Sequence, residues 1–162
     1  KDHDVDYVIL DCPPSLGLLT LNALVAADEV LVPIQCEYYA LEGVTQLMRT
    51  IEAVRHAMNK ELRLGSILMT MFDGRTRLST QVDEEVRTHF ARETMSTRIP
   101  RSVRVSEAPS YSRSVLTYEP TSAGAVAYRE ATAEFAKRHA GDEHSTNTSG
   151  VKHPDVSDTK KG

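Results

Sequence analysis

Apolar residues gather in three short runs that contain many β-branched side chains. These runs cover residues 5–10, 29–34 and 66–71. Each is bounded by polar or turn-forming residues, a pattern typical of a strand buried on both faces. A fourth, shorter strand is predicted over residues 96–99 and ends at Pro100.

Between these runs the apolar positions recur at spacings of three and four, which predicts amphipathic helices. The predicted helices are residues 15–27 with Ser15 as N-cap, residues 43–59, one that begins near Ser79 or Thr80, and residues 122–140. Residues 100–120 contain Pro109 and are predicted to form a loop. Alternating strands and helices indicate an α/β fold, with a mostly parallel twisted sheet and flanking helices.

Composition is consistent with one globular domain. The chain has 162 residues, 40% of them hydrophobic, and a formal net charge of −4. We expect a domain over residues 1–141 and a disordered polar tail over residues 142–162. Because no apolar run has the length of a membrane helix, we expect no membrane association and a cytoplasmic location. Cys12 and Cys36 are expected to be reduced thiols in or near the core.

The first apolar run ends on a carboxylate, Asp11, and then turns through Pro13 and Pro14. A strand that ends this way has the form of a Walker B segment, whose aspartate helps to fix Mg²⁺ beside nucleotide phosphates. The matching phosphate loop requires a Gly-Lys pair, and none occurs in the sequence. Either Asp11 is structural and caps the turn, or the chain is the carboxyl-terminal part of an NTPase.

Four ordered blocks carry a resemblance to one family. They are DCPPSLG at residues 11–17, QCEYYALEG at 35–43, DGRT at 73–76 and IPRSVRVSEAPS at 99–110. Together they resemble the ParA/Soj family of chromosome-partitioning ATPases, over about residues 5–140. The resemblance implies a P-loop NTPase fold of the deviant Walker type, incomplete here at the amino terminus.

The same resemblance implies a DNA-partitioning function. Family members bind ATP and Mg²⁺, form a nucleotide-sandwich homodimer, bind DNA without sequence preference, and hydrolyse ATP when a ParB-like centromere-binding partner stimulates them. Their phosphate-loop lysines and switch aspartate precede the region matched here. We therefore expect no catalytic residue in this chain and no ATP hydrolysis by it alone, and we expect the whole protein to associate with the nucleoid.

Residues of the first block are implied to lie beside the phosphates. Asp11 would hold Mg²⁺ through a water, since this ion keeps much of its hydration. Pro13 and Pro14 would stiffen a switch segment whose position depends on the γ-phosphate. The alternative role of the two prolines is to make the turn rigid.

Two later loops are implied to hold the nucleotide base. Met71 and Asp73 follow one predicted strand, and Pro100 and Arg101 follow another. Ligands of open α/β folds bind at the carboxyl edge of the sheet, where these loops would emerge. For Met71 the alternative is packing in the core.

Arg75 and Arg104 are the residues implied to contact DNA. Eight arginines and no lysine lie between residues 75 and 113. Guanidinium groups suit phosphate oxygens, so the expected binding is salt-sensitive and tolerant of sequence. The alternative is that each arginine is a solvated charge or pairs with a carboxylate, Asp73 or Glu107.

Two other functions remain open. A MinD-like cell-division ATPase shares the fold but is expected to end in an amphipathic membrane-binding helix, whereas this chain ends in a polar tail. A non-catalytic interaction module is the other alternative, because a chain without a phosphate loop cannot turn over ATP.

Overall fold

A computed structural model describes residues 5–13, 15 and 17–140. Its described residues contain a three-stranded parallel sheet in the order β1-β2-β3. The strands are β1 (Glu29–Gln35), β2 (Arg63–Phe72) and β3 (Thr94–Pro100). The predicted turn residue Pro14 and the predicted tail over residues 142–162 lie outside the described residues.

Helices connect and cover the strands. They are α1 (Leu18–Ala26), α2 (Ala40–Ala57), α3 (Arg77–His89), α4 (Val103–Glu107), α5 (Val115–Tyr118) and α6 (Ala123–Ala140), with a 3₁₀ turn at Ala108–Tyr111. The segment from β1 to β3 alternates strand, helix and strand, as parallel pairing requires. This confirms the predicted α/β class and the predicted parallel sheet.

Strand β2 is buried on both faces of the sheet, because its successive side chains point in opposite directions and both faces are covered there. Ile67 and Met69 are fully buried in a cluster with Val82 and Val86 of α3. Leu68 points to the other face and packs with residues of β3 and α6. The continuous apolar run of β2 therefore reflects helices on both sides of this strand.

In β1 one face is exposed: Leu31, Pro33 and Gln35 are open to solvent. The prediction that this strand is buried on both faces is therefore wrong for the described structure.

Residues 5–10 do not form the buried strand that their composition predicts. The segment carries no strand assignment, and Val8 and Ile9 are 78% and 84% exposed. A β-strand is stabilised by backbone hydrogen bonds to a neighbouring strand, and in the described residues the three strands pair only with one another. The prediction of a strand at this position is wrong for the described structure.

Residues 100–120 were predicted to form a loop, and this prediction is wrong. The segment contains a series of short helices. Pro109 lies in the first turn of the 3₁₀ segment, where its missing N–H costs no helical hydrogen bond. Ser112 then ends that turn in the left-handed region, with φ of 52°. Pro109, which suggested a loop, lies at the start of a short helix instead.

Three predicted helix starts are also displaced, and one is that of α2, which begins at Ala40 and not at residue 43. α3 begins at Arg77, and its N-cap is Thr76, whose hydroxyl accepts a hydrogen bond from Ser79 N at 3.3 Å. The N-cap of α1 is Gly17 and not Ser15.

Helix α6 is hydrogen-bonded to a bulge in β3. Between Ile67 and Met69 of β2 the register on β3 moves from Thr94 to Arg98, so extra residues of β3 bulge out of the pairing. The carboxylate of Glu134 on α6 accepts the N–H groups of the bulged Ser96 and Thr97 at 2.7 and 2.8 Å. Glu134 thereby replaces the strand partner that the bulge removes.

The two cysteines differ. Cys36 is buried as predicted, and burial together with the Asp83 carboxylate raises its pKa to about 11. Cys12 is exposed, so its predicted place in or near the core is wrong. Both are free thiols. Of the helices in the described residues, none has both the length and the apolar character needed to cross a bilayer.

Candidate functional site

The carboxyl ends of β2 and β3 lie side by side. Phe72 pairs with Pro100, and the N–H of Arg101 donates to the carbonyl oxygen of Phe72 at 2.9 Å. Asp73 and Arg101 therefore follow two adjacent strand ends on one edge of the sheet. The sequence predicted this neighbourhood, and the strand pairing confirms it.

The loop after β1 reaches the same edge. Glu37 follows this strand, and one of its carboxylate oxygens lies 3.9 Å from Nη2 of Arg101. Both side chains are more than half exposed, so the attraction is weak in water. No residue of this loop was assigned to the site from the sequence; the position of the loop directly after a strand is the signal that could have found it.

Met71 interrupts the regular course of β2. Its φ is 54°, in the left-handed region that side chains other than glycine rarely adopt. From Met69 to Phe72 the pairing advances three residues on β2 but only two on β3, which is a bulge. As a result Phe72 packs against the Ile67 cluster rather than on the face of Leu68. Strained bulges of this kind are frequent beside binding sites.

Asp73 and Arg75 form a closed pair in the loop that follows. Nε and Nη2 of Arg75 donate to the two carboxylate oxygens of Asp73, both at 2.9 Å, and the backbone N–H of Arg75 donates at 3.1 Å. These hydrogen bonds lower the pKa of Asp73 to about 2. The Arg75 side chain is 89% exposed, so the carboxylate orients a guanidinium that faces solvent.

Arg104 lies on α4 and also pairs with a nearby carboxylate. Its Nη1 donates to the Glu107 carboxylate at 2.9 Å, and this bond raises the pKa of Arg104. The side chain is 54% exposed. Both arginines thus make the carboxylate contacts that the sequence offered as the alternative to DNA binding, while both remain open to solvent.

Asp11 and Pro13 lie in the exposed segment before α1. The carbonyl oxygen of Pro13 accepts a long hydrogen bond, 3.5 Å, from the hydroxyl of Thr20. Within the described residues no group of three or more His, Cys, Asp or Glu side chains could hold a metal ion. A single accessible carboxylate nevertheless fits Mg²⁺, which takes one or two carboxylates, keeps several waters and binds substrate phosphates.

A buried ion pair behind this edge was missed by the sequence reasoning. Asp83 of α3 bonds to Arg98 of β3, and the guanidinium of Arg98 lies over the ring of Phe72.

Known proteins with similar sequences and structures support this fold and the family resemblance of the four sequence blocks. A family model described as an AAA domain matches residues 2–64. The chromosome partitioning protein ParA of Myxococcus xanthus is 50% identical over 135 residues, which are 83% of this chain and 48% of that protein. The sporulation initiation inhibitor protein Soj of Bacillus subtilis is 51% identical over 83% of this chain and 53% of its own length. The chain spans about half the length of the curated relatives it matches.

Solved structures give the same fold. A cobyrinic acid a,c-diamide synthase from Mycobacterium smegmatis, with bound ADP and magnesium, superimposes with a TM-score of 0.67 at 40% identity, over 88% of this chain and 50% of that one. The cell division ATPase MinD of Pyrococcus furiosus superimposes with a TM-score of 0.62 over 84% of this chain and 52% of its own. At 19% identity that second likeness concerns the fold alone. By its identity to ParA and Soj over more than four fifths of its residues, the chain belongs to the ParA/Soj family of P-loop NTPases.

Proposed function

We propose that this chain is the carboxyl-terminal part of a DNA-partitioning ATPase, which binds ATP with Mg²⁺ and moves DNA together with a ParB-like partner. Residues 1–141 would belong to the ATPase domain, and residues 142–162 would form a polar tail. The phosphate loop and its lysines would lie in the half of the relatives' length that this chain does not span. The chain alone would not hydrolyse ATP.

The observation that carries the proposal is the shared edge formed by the ends of β2 and β3. The Arg101 N–H bond to Phe72 O holds the two loops together, and Met71, the residue before Phe72, has a strained backbone conformation. An adenine would lie among Met71, Asp73, Pro100 and Arg101, with apolar contact from Met71. Met71 is absent from the apolar clusters that the described residues form, which favours a binding role over core packing.

Asp11 would hold Mg²⁺ through a water molecule. Bound Mg²⁺ would neutralise negative charge on the phosphates while the γ-phosphoryl group is transferred to water. What this chain contributes is an accessible carboxylate, followed by Pro13 and Pro14, which would limit the conformations of the switch segment.

DNA would bind through Arg75 and Arg104. Each guanidinium is oriented by one carboxylate, and more than half of each arginine side chain is exposed to solvent. A DNA phosphate could therefore reach either guanidinium from the solvent side. Two arginines per chain give weak binding, and an ATP-dependent homodimer would double the contacts on one rigid body. Because the homodimer would bind DNA without sequence preference, we expect the whole protein to lie in the cytoplasm, associated with the nucleoid.

The decisive experiment joins this chain to its upstream reading frame and measures binding of ATP with Mg²⁺ by calorimetry. We expect a KGGxGK[ST][ST] segment upstream and saturable ATP binding. If the frame encodes no phosphate loop and the protein binds no ATP, the interaction module becomes the better description. Binding to anionic lipid vesicles, in place of salt-sensitive binding to random-sequence DNA, would favour the MinD-like alternative.

A further inference from the structure

A carboxylate on α3 is buried against β3 by two arginines. Asp83 is 3% exposed, and Arg98 donates to both of its oxygens, from Nε at 2.9 Å and from Nη2 at 2.6 Å. Arg87, one turn further along α3, donates to Asp83 at 3.0 Å and to the carbonyl oxygen of Met95 at 2.9 Å. The Asp83 carboxylate therefore fixes the Arg98 guanidinium in position and orientation.

The fixed guanidinium lies against an aromatic ring. Cζ of Arg98 is 5.3 Å from the centre of the Phe72 ring, within the range of a cation–π contact. Phe72 reaches this place only because the bulge at Met71 turns it to the α3 face of the sheet. The left-handed residue and the ion pair thus act on the same side chain.

Phe72 in turn supports both loops of the proposed base site. Its carbonyl oxygen accepts the N–H of Arg101, which begins the loop after β3. Its main chain leads directly into Asp73, and its ring edge would be in ordinary van der Waals contact, at 3.4 Å, with a methyl group placed on Gly74, so the ring lies about one methyl group away from the backbone of the loop after β2. A shift of Phe72 would move both loops together.

We propose that Asp83, Arg98 and Phe72 form a positioning unit that holds the two base-binding loops at a fixed separation and so sets the affinity for the base of the nucleotide. This rests on the proposed function, in which those loops enclose an adenine. None of the three side chains is required to touch the nucleotide. Their role is to act through Asp73 and Arg101.

The electrostatics of the unit support a permanent rather than a switching role. Burial would raise the pKa of Asp83, but hydrogen bonds from Arg98 and Arg87 outweigh burial and hold it below its ordinary value. Both partners therefore stay charged at neutral pH. Only a planar guanidinium can donate to both carboxylate oxygens and stack on a ring at once, so lysine cannot replace Arg98.

The test compares two ligands, ATP–Mg²⁺ and tripolyphosphate–Mg²⁺, on the chain joined to its upstream reading frame. Tripolyphosphate occupies a phosphate loop but has no base. We expect Arg98→Met to weaken ATP binding about tenfold, as the loss of a desolvated cation–π contact would. Binding of tripolyphosphate should not change. The matched control is Arg87→Met, which removes the other arginine from the same carboxylate without touching Phe72; it should lower the melting temperature and leave the ratio of the two affinities unchanged.

Phe72→Leu provides a second route if Arg98→Met does not fold, because leucine keeps apolar contact with the core and removes the ring face. It should weaken ATP binding selectively, and Arg98→Lys should not restore wild-type selectivity. Equal loss of affinity for both ligands, or wild-type selectivity in the variants, would overturn the positioning unit. A wild-type protein that binds neither ligand would instead overturn the proposed function.

Discussion

Gly124 and Val105 are in such close contact that a methyl group on Gly124 would lie 2.5 Å from Cγ2 of Val105. Gly124 is in the first turns of α6 and Val105 is in α4, the helix that carries Arg104. The position of one proposed DNA contact therefore depends on the absence of a side chain on another helix.

Gly124→Ala should displace α4 and weaken DNA binding without changing ATP binding. Overpacking of a well-packed contact costs about 1–3 kcal/mol, so the melting temperature should also fall. The measurements are a thermal melt and retention on DNA at moderate salt. Gly43→Ala is the matched control, because Gly43 has open space around its Cα within α2. It should stabilise the protein by roughly 0.5–1 kcal/mol. Unaltered DNA retention in Gly124→Ala would contradict the dependence on α4.

Charge reversal of either proposed DNA contact should weaken salt-sensitive binding. Arg75→Glu or Arg104→Glu places a carboxylate beside a phosphate, and we expect at least about tenfold weaker binding at moderate salt. ATP binding should remain. Arg55→Glu is the control, since Arg55 pairs with Glu52 on α2 at 2.9 Å with the same spacing as Arg104 and Glu107. If all three variants lose DNA equally, net charge and not a patch explains the binding.

Glu134 should make the stability depend on acid pH. Burial would raise its pKa, but the N–H groups of Ser96 and Thr97 and further hydrogen bonds lower it from 4.5 to about 2. A carboxylate with a lowered folded pKa contributes stability that is complete above the unfolded pKa and lost as the pH falls towards the folded one. We expect the free energy of unfolding to drop by about 1–3 kcal/mol over that interval because of this group.

Denaturant unfolding between neutral pH and pH of about 2 measures the effect. Glu134→Gln should lower stability at neutral pH and flatten this part of the acid dependence. Glu130→Gln, at an exposed position of the same helix, should do neither. An unchanged pH profile in Glu134→Gln would refute the assignment.

Met71 should show opposite effects on stability and on nucleotide binding. Met71→Gly removes the cost of a side chain in the left-handed region, about 1 kcal/mol, and should raise the melting temperature. If the side chain covers the base, ATP binding becomes weaker in the same variant. Met71→Ala keeps a Cβ and should weaken ATP binding without the gain in stability. Wild-type affinity in both variants would return Met71 to a purely structural role.

Asp11 should be needed for the effect of Mg²⁺. Asp11→Asn keeps an oxygen that can cap the turn but removes the charge that attracts the ion. We expect ATP affinity with Mg²⁺ to fall to the value measured with a chelator, while the melting temperature stays constant. Calorimetry with and without Mg²⁺ decides. A variant that retains the wild-type Mg²⁺ effect would show that Asp11 only caps the turn.

The sequence predicts β2 because burial on both faces leaves a continuous apolar run, and it predicts parallel pairing because strand-like and helical segments alternate. It therefore also predicts that Asp73 and Arg101 are neighbours, since adjacent parallel strands end at one edge. Residues 5–10 have the same composition without the same outcome, because a strand needs a partner in space and composition does not report one.

The ion pair between Asp83 and Arg98 could not be predicted from the sequence for a related reason. The two residues are fifteen positions apart, and their contact depends on how α3 packs against β3. The helix α4 was missed as well, and it packs so closely against α6 that Gly124 has no room for a methyl group. Tertiary packing, and not local propensity, places both.

The three strands lie in the sheet in the same order in which they occur in the chain. Each new strand therefore pairs with the one made just before it, and the crossover closed at each step contains a single helix. During synthesis on a ribosome, β2 can join β1 and β3 can join β2 without waiting for any later segment. This part of the fold is suited to assembly as it emerges, one crossover at a time.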